Sequence, residues 1–171
     1  MDTTFFLTTA RLLIQPITIH DDNFIFELLN TEGWIKFIGN RNIASRVEAG
    51  AYIQKILENE NISYWVVRIK DSQKAIGVLT FIKRDYLEHH DIGFAFLPAF
   101  CKNGYAYEAT NAVLKKLIQR NNLLHILAIT IPENTNSIKL LNKLGLVFDK
   151  EIEIEKEKVH VYGASKEKLQ A

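Results

Sequence analysis

DIGFAFLPAFCKNGYAYEA, residues 91–109, runs from a strand through a glycine turn into a helix, and the rest of the chain reads as scaffold around it. From Asp91 to Leu97 the side chains alternate, with Ile92, Phe94 and Phe96 on one face and Asp91, Gly93 and Ala95 on the other. Pro98 has no N–H to give a ladder and closes the strand. Gly104 admits backbone angles that a side chain resists, and a helix is expected from about Tyr105. Its apolar side is Ala106, Ala109, Val113 and Leu117, with Glu108, Asn111, Lys115 and Gln119 opposite. The first turn of such a helix leaves amide N–H groups without intrahelical partners. Together with the macrodipole they suit an anion such as a pyrophosphate, and the small Ala106 lets it approach closely. The same local pattern also fits an ordinary strand, turn and helix with no ligand.

Working outward, the 171 residues suit a single domain spanning 1–171 and long enough to bury a sizeable core. Hydrophobic residues make up 47% and the formal charge is +1, from 21 basic and 20 acidic side chains, which points away from nucleic-acid and membrane partners. One cysteine allows no internal disulfide. With no signal peptide and no apolar run that would span a bilayer, a cytoplasmic protein is expected.

Arg11 to Ile19 has the character of a first strand, bent or at an edge after Pro16. Asp21 and Asp22 suit a helix start, Phe24, Ile25, Leu28 and Leu29 form its stripe, and Trp34, Phe37 and Ile38 carry the apolar content to Gly39. Ser45 with Glu48 has capping-box spacing before a helix to Leu57. Tyr64 to Ile69 and Ala75 to Ile82 form a hairpin of central strands. Beyond the glycine-turn helix come a strand from Ile126 to Ile131, a short helix from about Ser137 to Leu144 stopped by Gly145, and a closing hairpin. Ile152 and Ile154 lie on its first strand, Val159 and Val161 on its second.

Residues 91–109 resemble the acetyl-CoA-binding motif of the GNAT superfamily of N-acetyltransferases, Arg/Gln-x-x-Gly-x-Gly/Ala at a strand-to-helix turn. Gly104-Tyr105-Ala106 supplies its second half. Cys101 stands where Arg or Gln is usual, and Lys102-Asn103 where relatives often have Gly-Lys. Thr9-Ala10-Arg11-Leu12, Pro132-Glu133-Asn134-Thr135-Asn136-Ser137 and Lys143-Leu144-Gly145-Leu146 are similar to motifs of the branch containing the ribosomal-protein-alanine acetyltransferases. The resemblance covers about Phe6 to Phe148. It implies an α/β (α+β) acyl-CoA N-acyltransferase fold, a mixed, mostly antiparallel sheet of about seven strands flanked by about four helices. It also implies acetyl-CoA as cosubstrate, with the pyrophosphate at Lys102, Asn103, Gly104, Tyr105 and Ala106. The pantetheine arm would lie along Phe94, Ala95, Phe96 and Leu97, with Asn134 and Ser137 contributing further contacts.

Acetyl transfer to an amine needs a route for the amine's proton and stabilisation of the departing thiolate. Asp91 falls where relatives often place a Glu and would take the proton; alternatively it is a solvated strand-end carboxylate with an ordinary pKa of about 3.9. Glu88 is the reserve candidate, and His89 has the better intrinsic pKa but lies in a connecting loop. His89 and Asp91 share strand parity without a third ligand, so no metal is expected. Many relatives place a Tyr for the thiolate where Leu141 stands. Ser137 would supply a weaker hydrogen bond, or else cap the helix. Asn134 is the implied partner of the cofactor's amide groups, or a turn residue. Cys101 is either a nucleophile or an inert thiol, the latter favoured by the lack of an assignable triad. Trp34 to Phe37 would line the acceptor side, or belong to the core. The expected activity is direct transfer to a primary amine, a protein N-terminus or a small molecule, by a monomer or homodimer. The alternative is a non-catalytic CoA-binding or regulatory protein, supported by Cys101-Lys102-Asn103 and Leu141.

Overall fold

The computed structural model describes residues 1–170. Where apolar residues alternate, strands form: β1 (Leu7–Thr8), β2 (Leu12–Pro16), β3 (Ile62–Ile69), β4 (Ala75–Ile82), β5 (Asp91–Phe96), β6 (His125–Thr130), β7 (Val147–Ile154) and β8 (Glu157–Ser165). They join in one eight-stranded sheet ordered β1-β2-β3-β4-β5-β6-β8-β7. Every neighbouring pair is antiparallel except β5 and β6. Six helices accompany it among the described residues: α1 (Asp22–Leu29), α2 (Glu32–Phe37), α3 (Arg46–Leu57), α4 (Tyr105–Asn121), α5 (Thr135–Lys143) and α6 (Lys166–Gln170). No described helix is long and apolar enough to cross a membrane.

This is the expected α/β architecture with one strand and two helices more than the sequence suggested. The two-residue β1 is too short to show a period. The helix expected from Asp22 towards Gly39 breaks at Asn30, and α2 restarts where the Thr31 hydroxyl accepts the Trp34 N–H. The first strand ends at Pro16, short of the expected Ile19, and Ile19–Asp21 form a single 3-10 turn. Asp21 is buried there, accepting the Thr18 N–H at 2.8 Å and pairing with Arg68.

The pleat sends alternate residues to two cores. Trp65, Leu79, Phe81 and Ile92 pack with Val113 and Leu117 of α4 and Leu141 of α5. On the other face Val66 and Val78 pack with Ile25 and Leu28 of α1 and Ile53 of α3. Asp91, Gly93 and Ala95 have the parity of this second face, opposite Ile82, Thr80 and Val78.

Local signals fix the ends of the elements. The Ser45 hydroxyl caps α3 by accepting the Glu48 N–H, but Glu48 reaches back to the Ala44 N–H at 2.6 Å and not to Ser45, so the capping box is displaced by one residue. Helix α5 ends in a Schellman pair, Leu146 N–H to Leu141 C=O and Gly145 N–H to Asn142 C=O, with Gly145 at φ +91°.

In β4, Gly77 faces Phe96 of β5, and the aromatic ring lies across the bare glycine where a Cβ would overlap it. Gly77→Ala should therefore destabilise the protein by about 1–3 kcal/mol through overpacking, measured by urea unfolding. A neutral result would mean that Phe96 turns aside freely.

Candidate active site

β5 and β6 are parallel neighbours that meet at one pair only, Asp91 opposite Leu127, with the Leu127 N–H donating to the His90 carbonyl at 3.0 Å. Beyond that point they diverge. The Leu97 N–H donates to Ile76, and antiparallel pairs alternate. The backbone groups of Asp91, Gly93 and Ala95 therefore serve β4, while those of Phe94 and Phe96 face the gap. The bond from the Lys166 N–H to the Leu124 carbonyl sets the same alternation on β6 and turns Ile129 towards the gap. The gap opens into a cleft of about 1500 Å³ that runs from α2 and α3, past Asp91, to the turn before α4.

That turn is built from left-handed backbone, with φ +64° at Lys102 and +79° at Gly104. The first helical N–H of α4 with a backbone partner is that of Glu108, to the Gly104 carbonyl at 3.0 Å, which leaves the amides of residues 105–107 free. Lys102, Gly104, Ala106 and Tyr107 line the cleft. Asn103 and Tyr105 turn instead towards Arg11, whose Nη1 donates to the Asn103 carbonyl at 3.1 Å while the guanidinium covers the Tyr105 ring at 4.4 Å.

Glu108 anchors this arrangement from the side of α4 that the sequence assigned to solvent. It accepts from the Thr9 hydroxyl (2.6 Å), the Arg11 N–H (3.0 Å) and Arg11 Nε (2.7 Å). Burial pushes its carboxyl up, but the bonds from Thr9 and Arg11 outweigh this and hold it below the usual range. Thr9 and Arg11 thus form a brace between the sheet edge and the α4 turn, a role that periodicity could not reveal.

Asp91 is not a solvated strand-end carboxylate. It is buried, and Arg84 Nε donates to Oδ1 at 2.6 Å. Burial pushes its carboxyl above the usual range, with Arg84 pulling the other way. Sequence reasoning missed Arg84; an arginine seven residues before Asp91, across the connection from β4, was its only trace. Of the three candidate bases only Asp91 lines the cleft, while Glu88 and His89 line a separate hollow where His89 stacks on His125.

Asn134 caps α5 by accepting the Ser137 N–H at 3.3 Å, so capping falls to Asn134 and leaves the half-buried Ser137 hydroxyl at the cleft. Leu141 is buried in the core. The Cys101 thiol sits 3.6 Å from the Leu97 carbonyl, and burial pushes its pKa up, which keeps it protonated and poorly nucleophilic. Trp34 lines the cleft and also belongs to the α1–α3 core. Tyr52 and Tyr64, which also line the cleft, share a hydrogen bond of 3.2 Å. Burial, reinforced by Tyr52, raises the Tyr64 hydroxyl well above its usual pKa and keeps it neutral.

Residues 11–147 match the family model described as "Acetyltransferase (GNAT) domain". The chain belongs to the GNAT acetyltransferase family. It is 29% identical over 140 residues to the "Uncharacterized N-acetyltransferase YnaD" of Bacillus subtilis, a match covering 82% of this chain and 81% of that protein. Its fold is similar to that of spermidine N-acetyltransferase from Vibrio cholerae in complex with CoA and spermine, with TM-score 0.81 and 18% identity over 95% of this chain and 100% of that one. It is also similar to ribosomal-protein-S5-alanine acetyltransferase from Vibrio fischeri, with TM-score 0.77 and 19% identity over 94% and 96%. GNAT acetyltransferases use acetyl-CoA. The free amides at the start of α4 and the unpaired backbone of the β5–β6 gap are features this cosubstrate fits.

The depressed Glu108 carboxyl has a consequence for stability. Its contribution is present above the ordinary Glu pKa of about 4.3 and is lost as pH falls through the lower folded-state value. Glu108→Gln should lower the melting temperature at pH 7, and the gap to the parent protein should close progressively on acidification. A gap independent of pH would show that the brace does not depend on the charge.

Proposed function

We propose that this GNAT acetyltransferase, acting as one domain over residues 1–171 in the cytoplasm, transfers the acetyl group to a primary amine by direct transfer in a ternary complex. The observation that carries this reading is the single-pair β5–β6 junction, where Asp91 meets Leu127 and beyond which a cleft lined by Asp91 opens. A cleft of about 1500 Å³ exceeds the roughly 300–1,000 Å³ of ordinary small-ligand sites and leaves room for cosubstrate and acceptor together.

Acetyl-CoA supplies an activated acetyl thioester when bound. The free amides at Tyr105 and Ala106, with Lys102, Asn103 and Gly104, would hold its pyrophosphate, and Lys102 adds a cation where the family's loop arginine is replaced by Cys101. Phe94 and Phe96 would bond the pantetheine amides through their gap-facing backbone, Ala95 through side-chain contact, and Asn134 through the amide nitrogen left over from capping α5; Leu97, expected on this arm, is instead buried in the α1–α3 core and away from the cleft. Asp91, raised by burial, is the better matched acceptor for the amine's proton, and Arg84 holds it in place. The Ser137 hydroxyl would donate to the departing sulfur. The acceptor is a primary amine, a protein N-terminus or a small molecule. Monomer or homodimer, the protein needs no nucleic acid or metal for this chemistry.

Acetyl-CoA should raise the melting temperature in a thermal-shift titration, since a ligand of the native state stabilises by mass action. Gly104→Val should abolish the rise. The cause is backbone strain, because φ +79° excludes a β-branched residue although a Cβ would meet only Arg11 Nη2 at 3.4 Å. No rise at millimolar acetyl-CoA in the parent protein would defeat this reading.

Asp91 and Ser137 should fail differently. Asp91→Asn should cut turnover with little change in acetyl-CoA affinity, and the deficit should shrink at high pH, where the amine is already free. Ser137→Ala should slow transfer by about tenfold across the pH range, the loss of one hydrogen bond to a charged group. Thiol release against pH measures both, and matching profiles would refute the assignment of separate roles.

A further inference from the structure

The acceptor end of the cleft is rich in hydrogen-bond donors and short of acceptors. Its buried carboxylate, Asp91, is already taken by Arg84. Arg41, in the segment between α2 and α3, lines the cleft, forms no ion pair among the described residues, and acts through its charge on the Tyr64 hydroxyl. Tyr52 and Tyr64 share one bond, which uses one of their two protons and leaves the other to donate.

A guanidinium can only donate, so the complement is a group that can only accept. We propose that the acceptor amine also carries a carboxylate, held by Arg41 with the Tyr52–Tyr64 hydroxyls, while the amine lies at Asp91. This rests on the transferase reading above and narrows its acceptor to amino-acid-like amines. Pairing makes the geometry reasonable: Tyr64 lies opposite Thr80, and Thr80 opposite Gly93, so Tyr64 stands two strands, about 10 Å, from the β5 residue next but one to Asp91. One small molecule spans that distance.

A polyamine is the poorer fit. Its ammonium groups would meet Arg41 and Arg84, with Lys36 and Lys55 also on the cleft wall; Glu32, Glu155 and Glu157 are exposed, as Arg41 is, so solvent weakens both signs and the cleft's cations outnumber its carboxylates.

The test is thiol release from acetyl-CoA with matched pairs, each an α-amino acid and its decarboxylated amine, with spermidine as the purely cationic arm. The carboxylate-bearing member should be preferred by about tenfold or more in kcat/KM, the size of a charge-assisted hydrogen bond, and spermidine should be poorest. Arg41→Gln should bring the ratio towards one, chiefly through KM, and Arg41→Lys should restore part of it. Equal rates within the pairs, a preference for spermidine, or a ratio that survives Arg41→Gln overturns this inference and leaves the transferase reading standing. Absence of thiol release from every amine overturns both.

Discussion

Two well-paired blocks of sheet that cannot stay together govern this molecule. β5 is locked to β4 along six residue pairs and β6 to β8 along six more, while β5 and β6 share one. Each block follows its own register and the natural strand twist turns one away from the other, so the parallel pair parts immediately after Asp91 and Leu127. Exposed backbone polar groups normally cost stability. Here they line a cleft in which a ligand with amides of its own can satisfy them.

The parallel junction also dictates the connection. A parallel pair cannot be closed by a hairpin, and α4 makes the crossover. Its N-terminus therefore falls at the open end of the gap, where free amides and the macrodipole favour an anion. The Thr9–Arg11–Glu108 brace holds that end to the first strands, with Arg11 also gripping the Asn103 carbonyl and the Tyr105 ring. Much of the charge of Arg11 is spent on Glu108, so Lys102 is the turn's cation facing the cleft.

At the other end, electrostatics separate one buried carboxylate from a set of donors. Arg84 keeps Asp91 oriented and by its charge lowers the carboxyl's proton affinity, while burial raises it by more, so position comes from the ion pair and basicity from desolvation. Tyr52, Tyr64 and Arg41 also line the cleft and carry donors. On the proposed transferase reading, proton acceptance and recognition of the acceptor fall to different groups.

Sequence alone determined what depends on local order. Alternation in Asp91–Phe96, the bare Gly93 and Ala95, the left-handed turn at Gly104, the caps of α3 and α5 and the closing hairpin are all set by neighbours within a few residues, and each formed within a residue or two of its expected place. The family motifs did the rest, placing the fold and its acetyl-CoA chemistry. Tertiary structure decided what depends on partners distant in the chain. Glu108 looked like a solvent-facing helix residue until Arg11, 97 positions earlier, was folded onto it. Sequence put Asp91 ahead of Glu88 and His89 only by family resemblance; the pleat and the β5–β6 junction sent only Asp91 into the cleft. Its carboxyl rose above the ordinary range because the sheet closed around it, against the pull of Arg84, and desolvation is a property of a site that no linear pattern carries.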